Sequence, residues 1–154
     1  MDRSVYSVRS TGPLLSEDLD SAVVTQTSLT PAARFRAHVE SGDIDSAVEL
    51  FAEDAVFHSP VVHRPYVGRE ALRAILHAVF TVFEDFRYVA EYSEDGSADA
   101  GHVLRFRAQV DGRELEGVDI LVSDPEKITE LTVLVRPYSA TTALRERMAA
   151  LLSG

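Results

Sequence analysis

HVLRFRAQVDGRELEGVDILV, residues 102–122, decides the fold, because Asp111-Gly112 at its centre is the strongest short-range signal for a two-residue β-hairpin turn. A turn there sets Val110 opposite Arg113, then Ala108 opposite Leu115, Phe106 opposite Gly117, Leu104 opposite Asp119 and His102 opposite Leu121. Opposed residues share a face of the sheet, and faces alternate along each strand. One face therefore collects Leu104, Phe106, Ala108, Val110, Leu115, Gly117 and Leu121, with Asp119 among them. The other collects Arg105, Arg107, Gln109, Glu114 and Glu116. A register that sorts apolar from charged residues supports itself.

Asp119 is the exception on the apolar face. An ionised carboxylate there must be paired, hydrated or protonated. His102 lies diagonally from it, about 7 Å away at the backbone, within side-chain reach. Three readings are open: an aspartate at a wet sheet end, an Asp119–His102 structural pair, or a carboxyl kept neutral by burial to donate a hydrogen bond inside a pocket. Gly117 has two readings also. It leaves room for a close ligand approach, or it marks a bulge.

Working outward, Phe86, Tyr88, Ala90 and Tyr92 alternate as a strand before the hairpin, joined to it by the turn EDGSADAG. ITELTVLVRP (128–137) is a strand after it, and Ser139 or Thr141 caps a final helix, TALRERMAALL. Upstream, Thr30-Pro31 reads as an N-cap with proline in the first turn, opening a helix that carries Phe35 and Val39 and stops at Gly42. Ile44, Ala47, Val48 and Phe51 mark a second short helix. Ala55–His58 is a brief strand, and from about Arg69 a long helix buries Leu72, Ile75, Leu76, Val79 and Phe83. Helices first and an antiparallel meander later means α+β. Residues 1–29, rich in Ser and Thr, read as a mobile tail, and 30–154 as one domain.

Composition bounds the function. At 154 residues with 45% apolar content, one domain with a real core is expected. No apolar run reaches the roughly 18 residues of a membrane span, and the N-terminus lacks the apolar core of a secretory signal. The absence of cysteine excludes disulfides, thiolate nucleophiles and thiolate metal sites. A cytoplasmic location is the default. Twenty-five acidic against 15 basic residues give a net charge of −10, which repels nucleic acid and anionic membranes. His58, His63 and His77 lack the spacing of a helical metal motif, so neither metal nor cofactor is expected.

The order helix-helix-strand-helix-meander, with SGD at 41–43 and ELFAEDAVFHSP…VGREAL in its first half, resembles the nuclear transport factor 2-like superfamily, closest to its SnoaL-like and ketosteroid isomerase-like branch. The resemblance covers about residues 30–142. It implies a cone, a strongly curved antiparallel sheet wrapped around a long helix and open to an apolar pocket for a small molecule. It also implies dimerisation through the outer sheet face, where Arg105 and Arg107 could meet Glu114 and Glu116 of a partner. Ketosteroid isomerases use an aspartate base with a tyrosine and a protonated aspartic acid as oxyanion hole. Aligned on SGD, the tyrosine position falls on Phe35 and the base position on Ser59, while Asp119 in GVDIL matches the acid. An ordinary ketosteroid isomerase is therefore disfavoured. So is a limonene-type epoxide hydrolase, since Arg105 and Arg107 point outward and Val133 and Val135 stand where a second acid is needed. What remains is a SnoaL-like cyclase, isomerase or hydrolase, with Asp119 as acid and His102 or His58 as proton partner, or a non-catalytic ligand-binding or dimerisation module. His58 has two readings, since Phe57 and Ser59 share a face that it does not. Phe35, Ser59, His63, Tyr66, Phe106, Gly117, Val133 and Val135 are the expected pocket residues.

Overall fold

The computed structural model describes residues 29–94 and 101–153. The mobile tail expected over 1–29 lies outside them except for Leu29, as do residues 95–100 of the EDGSADAG turn.

Local chemistry opens the fold as the sequence requires. Helix α1, Pro31–Glu40, is capped by Thr30, whose Oγ1 accepts a hydrogen bond from the Ala33 amide at 3.1 Å. Gly42 ends it at φ +80°, and the amides of Gly42 and Asp43 donate back to the carbonyls of Val39 and His38. Asp43 then caps α2, Ile44–Glu49, by accepting from the Ser46 amide at 3.1 Å. Phe51, expected on the face of this helix, instead opens β1, Phe51–His58. Both placements bury the ring, and an apolar residue three positions on does not distinguish them. Buried completely, it meets Phe35 edge-on at 5.7 Å.

A two-residue strand β2, Tyr66–Val67, pairs with β1, too short to leave a periodic signal. Helix α3, Arg69–Val82, buries Leu72, Ile75, Leu76 and Val82. Phe83, expected within it, is extended, and β3 runs from Glu84 to Ser93. Strands β4 (Gly101–Val110), β5 (Arg113–Ser123) and β6 (Ile128–Arg136) follow, then α4, Tyr138–Leu152. Neither Ser139 nor Thr141 caps α4, which begins directly after Pro137 with no side-chain cap. The Thr141 hydroxyl sits inside its first turn and donates to the Pro137 carbonyl at 3.0 Å. Among the described residues no helix is long and apolar enough to cross a membrane.

The strands form one curved, unclosed sheet in the order β2-β1-β6-β5-β4-β3. It is mixed rather than wholly antiparallel, because β1 and β6 pair in parallel. Parallel neighbours need a long connection, and here α3 and the meander supply it. The hairpin register is the one the turn predicts, from Val110 opposite Arg113 to His102 opposite Leu121. Asp111 and Gly112 sit at φ +51° and +75°, the pair of left-handed residues such a turn demands. Strand β3 shifts register against β4 twice, between Glu84 and Arg87 and between Tyr88 and Ala90, and each shift bends the edge of the sheet.

Gly117 serves the packing of the sheet rather than a ligand. A Cβ there would stand 2.6 Å from Phe106 Cζ and would also collide with the Leu134 carbonyl of β6. The space left by the missing side chain is filled by the Phe106 ring. Gly117→Ala is expected to destabilise the fold by about 1–3 kcal/mol, because a backbone carbonyl cannot rotate away as a side chain can. Urea denaturation with a loss below about 0.5 kcal/mol would show that β6 yields freely.

Candidate functional site

Helices α3 and α4 and the concave face of the sheet enclose a cavity of about 260 Å³. Its wall is aromatic on one side. Phe80 and Phe83 arrive from the end of α3, Phe86 from β3 and Phe106 from β4. Phe86 sits at the centre of this cluster, 4.9 Å from Phe80, 5.6 Å from Phe83 and 5.1 Å from Phe106 between ring centroids. Such rings exclude water and enclose a flat apolar ligand at little entropic cost.

Asp119 faces this cavity from β5 while only 7% exposed. Its Oδ2 accepts a hydrogen bond from the Tyr88 hydroxyl at 2.8 Å. No other hydrogen bond to the Asp119 carboxyl occurs among the described residues. Burial pushes its carboxyl from an ordinary 3.8 up to about 7, against the Tyr88 bond, which favours the ionised form. Burial also drives the Tyr88 phenol well above 10, and the neighbouring Asp119 charge adds to this. Tyr88 therefore stays protonated and donates, while Asp119 titrates near neutrality. Tyr88 is held in turn: its ring meets Phe86 edge-on at 5.0 Å, and the Arg36 guanidinium lies 5.7 Å from its centroid. Glu91 and Glu40 fix that guanidinium at 2.9 and 3.1 Å.

Of the residues expected at the pocket, Phe35, Ser59, Tyr66, Phe106 and Val133 line the cavity together with Asp119. His102 does not. It is 6% exposed, set between Ser93 and Leu121, and its Nδ1 has no partner among the described residues. The expected Asp119–His102 contact is thus replaced by Asp119–Tyr88, because the phenol reaches across β4 from the bent edge strand. His58 also lies outside the lining: its Nε2 bonds Glu130 Oε2 at 2.8 Å on the neighbouring strand β6. Alternation explains this, since Phe57 and Ser59 both take the inward direction. His63 is exposed on the loop and does not reach the cavity. Gly117 and Val135 border a shallow depression with Arg105, Glu116 and Arg136 instead of the cavity, and the Phe106 ring stands between Gly117 and the interior.

The sequence expectations for the pocket do not include Tyr88, the Phe80–Phe83–Phe86 cluster or the lining from α4. Signals existed: Tyr88 alternates with Phe86, and Leu144, Met148 and Leu152 repeat every four residues.

An open α+β cone with a buried carboxyl at the wall of an aromatic cavity is the class that fold and site define. The SnoaL-like domain matches residues 32–138. The chain belongs to the SnoaL-like family of the nuclear transport factor 2-like superfamily. Among solved structures, a steroid delta-isomerase from Pseudomonas aeruginosa is 36% identical, with 80% of this chain and 89% of that one aligned at a TM-score of 0.74. An uncharacterised protein with a cystatin-like fold from Silicibacter pomeroyi is 30% identical over 84% and 90% of the two chains, also at 0.74. A protein of ketosteroid isomerase-like fold from Catenulispora acidiphila, at 13% identity, 76% and 92% coverage and a TM-score of 0.59, shares the fold alone. A search of curated proteins found no match.

Proposed function

We propose that the chain is an acid–base enzyme of isomerase or cyclase type, moving a proton on a small apolar cyclic carbonyl compound, with Asp119 as the catalytic residue. The observation that carries this reading is a carboxyl sunk in an aromatic cavity, titrating near pH 7 and held by a single hydrogen bond from Tyr88. A group with that pKa populates its acid and base forms together at neutral pH, the condition for efficient proton transfer.

Ionised Asp119 takes a proton from a ring carbon beside the carbonyl. The C–H electron pair becomes the enolate double bond, and the charge moves to the carbonyl oxygen. Where a C=C adjoins that carbon the anion is a dienolate, and protonated Asp119 returns the proton to its far carbon, so that the double bond shifts into conjugation with the carbonyl and the original carboxylate is restored. Ser59 and Tyr66 line the cavity and are the hydroxyls available to the enolate oxygen. The Ser59 Oγ accepts from the Val61 amide at 3.1 Å, so its proton is directed elsewhere. Tyr88 is a positioning residue. The name of the Pseudomonas aeruginosa relative supports isomerisation of an apolar ring system.

A second reading, ligand binding without turnover, is favoured by Ser59 and Phe35 standing where a separate base and a tyrosine are found in ketosteroid isomerases. Deuterium exchange separates the two. Incubated in D2O with 2-decalone, an apolar bicyclic ketone, the wild-type protein is expected to accelerate exchange of the α-protons. Saturable binding of the ketone with no acceleration would establish the second reading.

We also propose a homodimer through the convex sheet face. The expected exchange of Arg and Glu between subunits loses Glu116, which already holds Arg105 at 2.7 Å and Arg136 at 2.6 Å within the chain. What supports the dimer is apolar exposure, with Tyr92 58% and Leu134 55% accessible on that face. Light scattering at micromolar concentration should give twice the chain mass, and Leu134→Glu should halve it. A monomeric wild type would end this proposal.

A further inference from the structure

Helix α4 supplies one wall of the cavity through Leu144, Met148 and Leu152, spaced four apart, with Arg145 and Ala149 beside them. Two of the lining side chains are of charged type, Asp119 and Arg145, and they sit at opposite depths. Asp119 is 7% exposed, whereas Arg145 is exposed at the rim. Arg145 makes no ion pair with any described residue. Arg147, two positions on and turned away from the cavity, is engaged by Asp111. Most other arginines of the described sheet and helices are also held by acids, as Arg36, Arg73, Arg105 and Arg136 are. In a chain with 25 acidic residues against 15 basic ones, an unpaired guanidinium on the stripe facing the cavity stands out.

We propose that Arg145 selects an anionic ligand, an apolar ring compound carrying a carboxylate, whose ring system fills the aromatic cavity and whose carboxylate reaches the rim. This rests on the reading of the cavity as a small-molecule site and deepens it by naming the substrate class. The arrangement suits an amphiphile. Its apolar body displaces water from Phe80, Phe83 and Phe86, and its charge stays at the edge, hydrated and met by the planar fork of the guanidinium. A charge placed deeper would face the full cost of burial and the repulsion of ionised Asp119. The rim is where a carboxylate is least costly, and Arg145 is the cation that the lining provides.

The test compares 2-naphthoate with methyl 2-naphthoate, alike in shape and different in charge, by titration calorimetry at pH 6.5 and low salt. Wild type is expected to bind the carboxylate about fivefold more tightly than the ester, a modest factor because the pair is partly in water. Arg145→Gln should equalise the two, and Arg145→Glu should reverse the order. The carboxylate-to-ester affinity ratio is the quantity read in all three proteins, and raising the salt to 1 M should shrink the wild-type preference. Arg145 lies exposed on a helix, so these variants retain the fold, which circular dichroism checks. Equal affinity of wild type for both ligands would overturn the role of Arg145 and leave the acid–base reading standing. Binding of neither ligand would overturn that reading and this inference together.

Discussion

Asp119→Asn is expected to lower the proton-exchange rate by about a hundredfold or more while leaving the protein more stable than wild type at alkaline pH. The two effects have one cause. Burial raises the carboxyl from 3.8 to about 7, so the folded state binds its proton more tightly than the unfolded chain does. A raised carboxyl pKa costs stability as pH climbs from the unfolded value towards the folded one, and the whole cost is present above about pH 7. Asparagine never ionises and keeps an oxygen to accept from Tyr88. Its stability advantage over aspartate should therefore be about 2–3 kcal/mol greater at pH 9 than at pH 5. Urea denaturation of both proteins at the two pH values measures it. In parallel, the wild-type exchange rate should rise through about pH 7 as the base form appears. An advantage that is constant with pH would mean that Asp119 is ionised throughout, and the acid–base reading would lose its foundation.

Phe106→Ala should be the most destabilising single change at the site, costing about 3–5 kcal/mol. Its ring is 1% exposed, packs at 5.1 Å from Phe86 and 5.8 Å from Phe83, and fills the space above Gly117. Removing it opens a void bounded by a rigid sheet, which cannot collapse to close it. The two positions should also couple. Alanine at 117 clashes with both the ring and the Leu134 carbonyl, and the Phe106→Ala change relieves the first of these. The double variant should thus cost less than the two single changes added, by on the order of 1 kcal/mol. Strict additivity would show that the ring moves aside without strain, and the packing role given to Gly117 would fall.

The hairpin was legible because its rules act between near neighbours. Two residues able to adopt positive φ fix the turn, and a period of two then fixes every pair out to His102 and Leu121. The same period of two places Asp119 among apolar residues. The helix start at Thr30-Pro31 and the helix stop at Gly42 were legible for the same reason, since caps satisfy backbone groups within three or four positions.

What Asp119 touches was not legible. His102 lies one diagonal away and looked the natural partner, yet the proton comes from Tyr88, two strands distant. The register shifts of β3 at 84–87 and 88–90 leave no pattern in the sequence, and the bend of that edge carries the phenol to the carboxylate. The parallel union of β1 with β6 took His58 away to Glu130 by the same kind of long-range choice. The α4 stripe that closes the cavity and brings Arg145 to its rim shows the spacing of any amphipathic helix. The sequence by itself determined which residues would be buried, since alternation and helical period depend on backbone geometry a few residues long. Only the tertiary structure decided which buried groups meet, because the curvature of the sheet sums many small twists and bulges, and a local pattern carries no record of that sum.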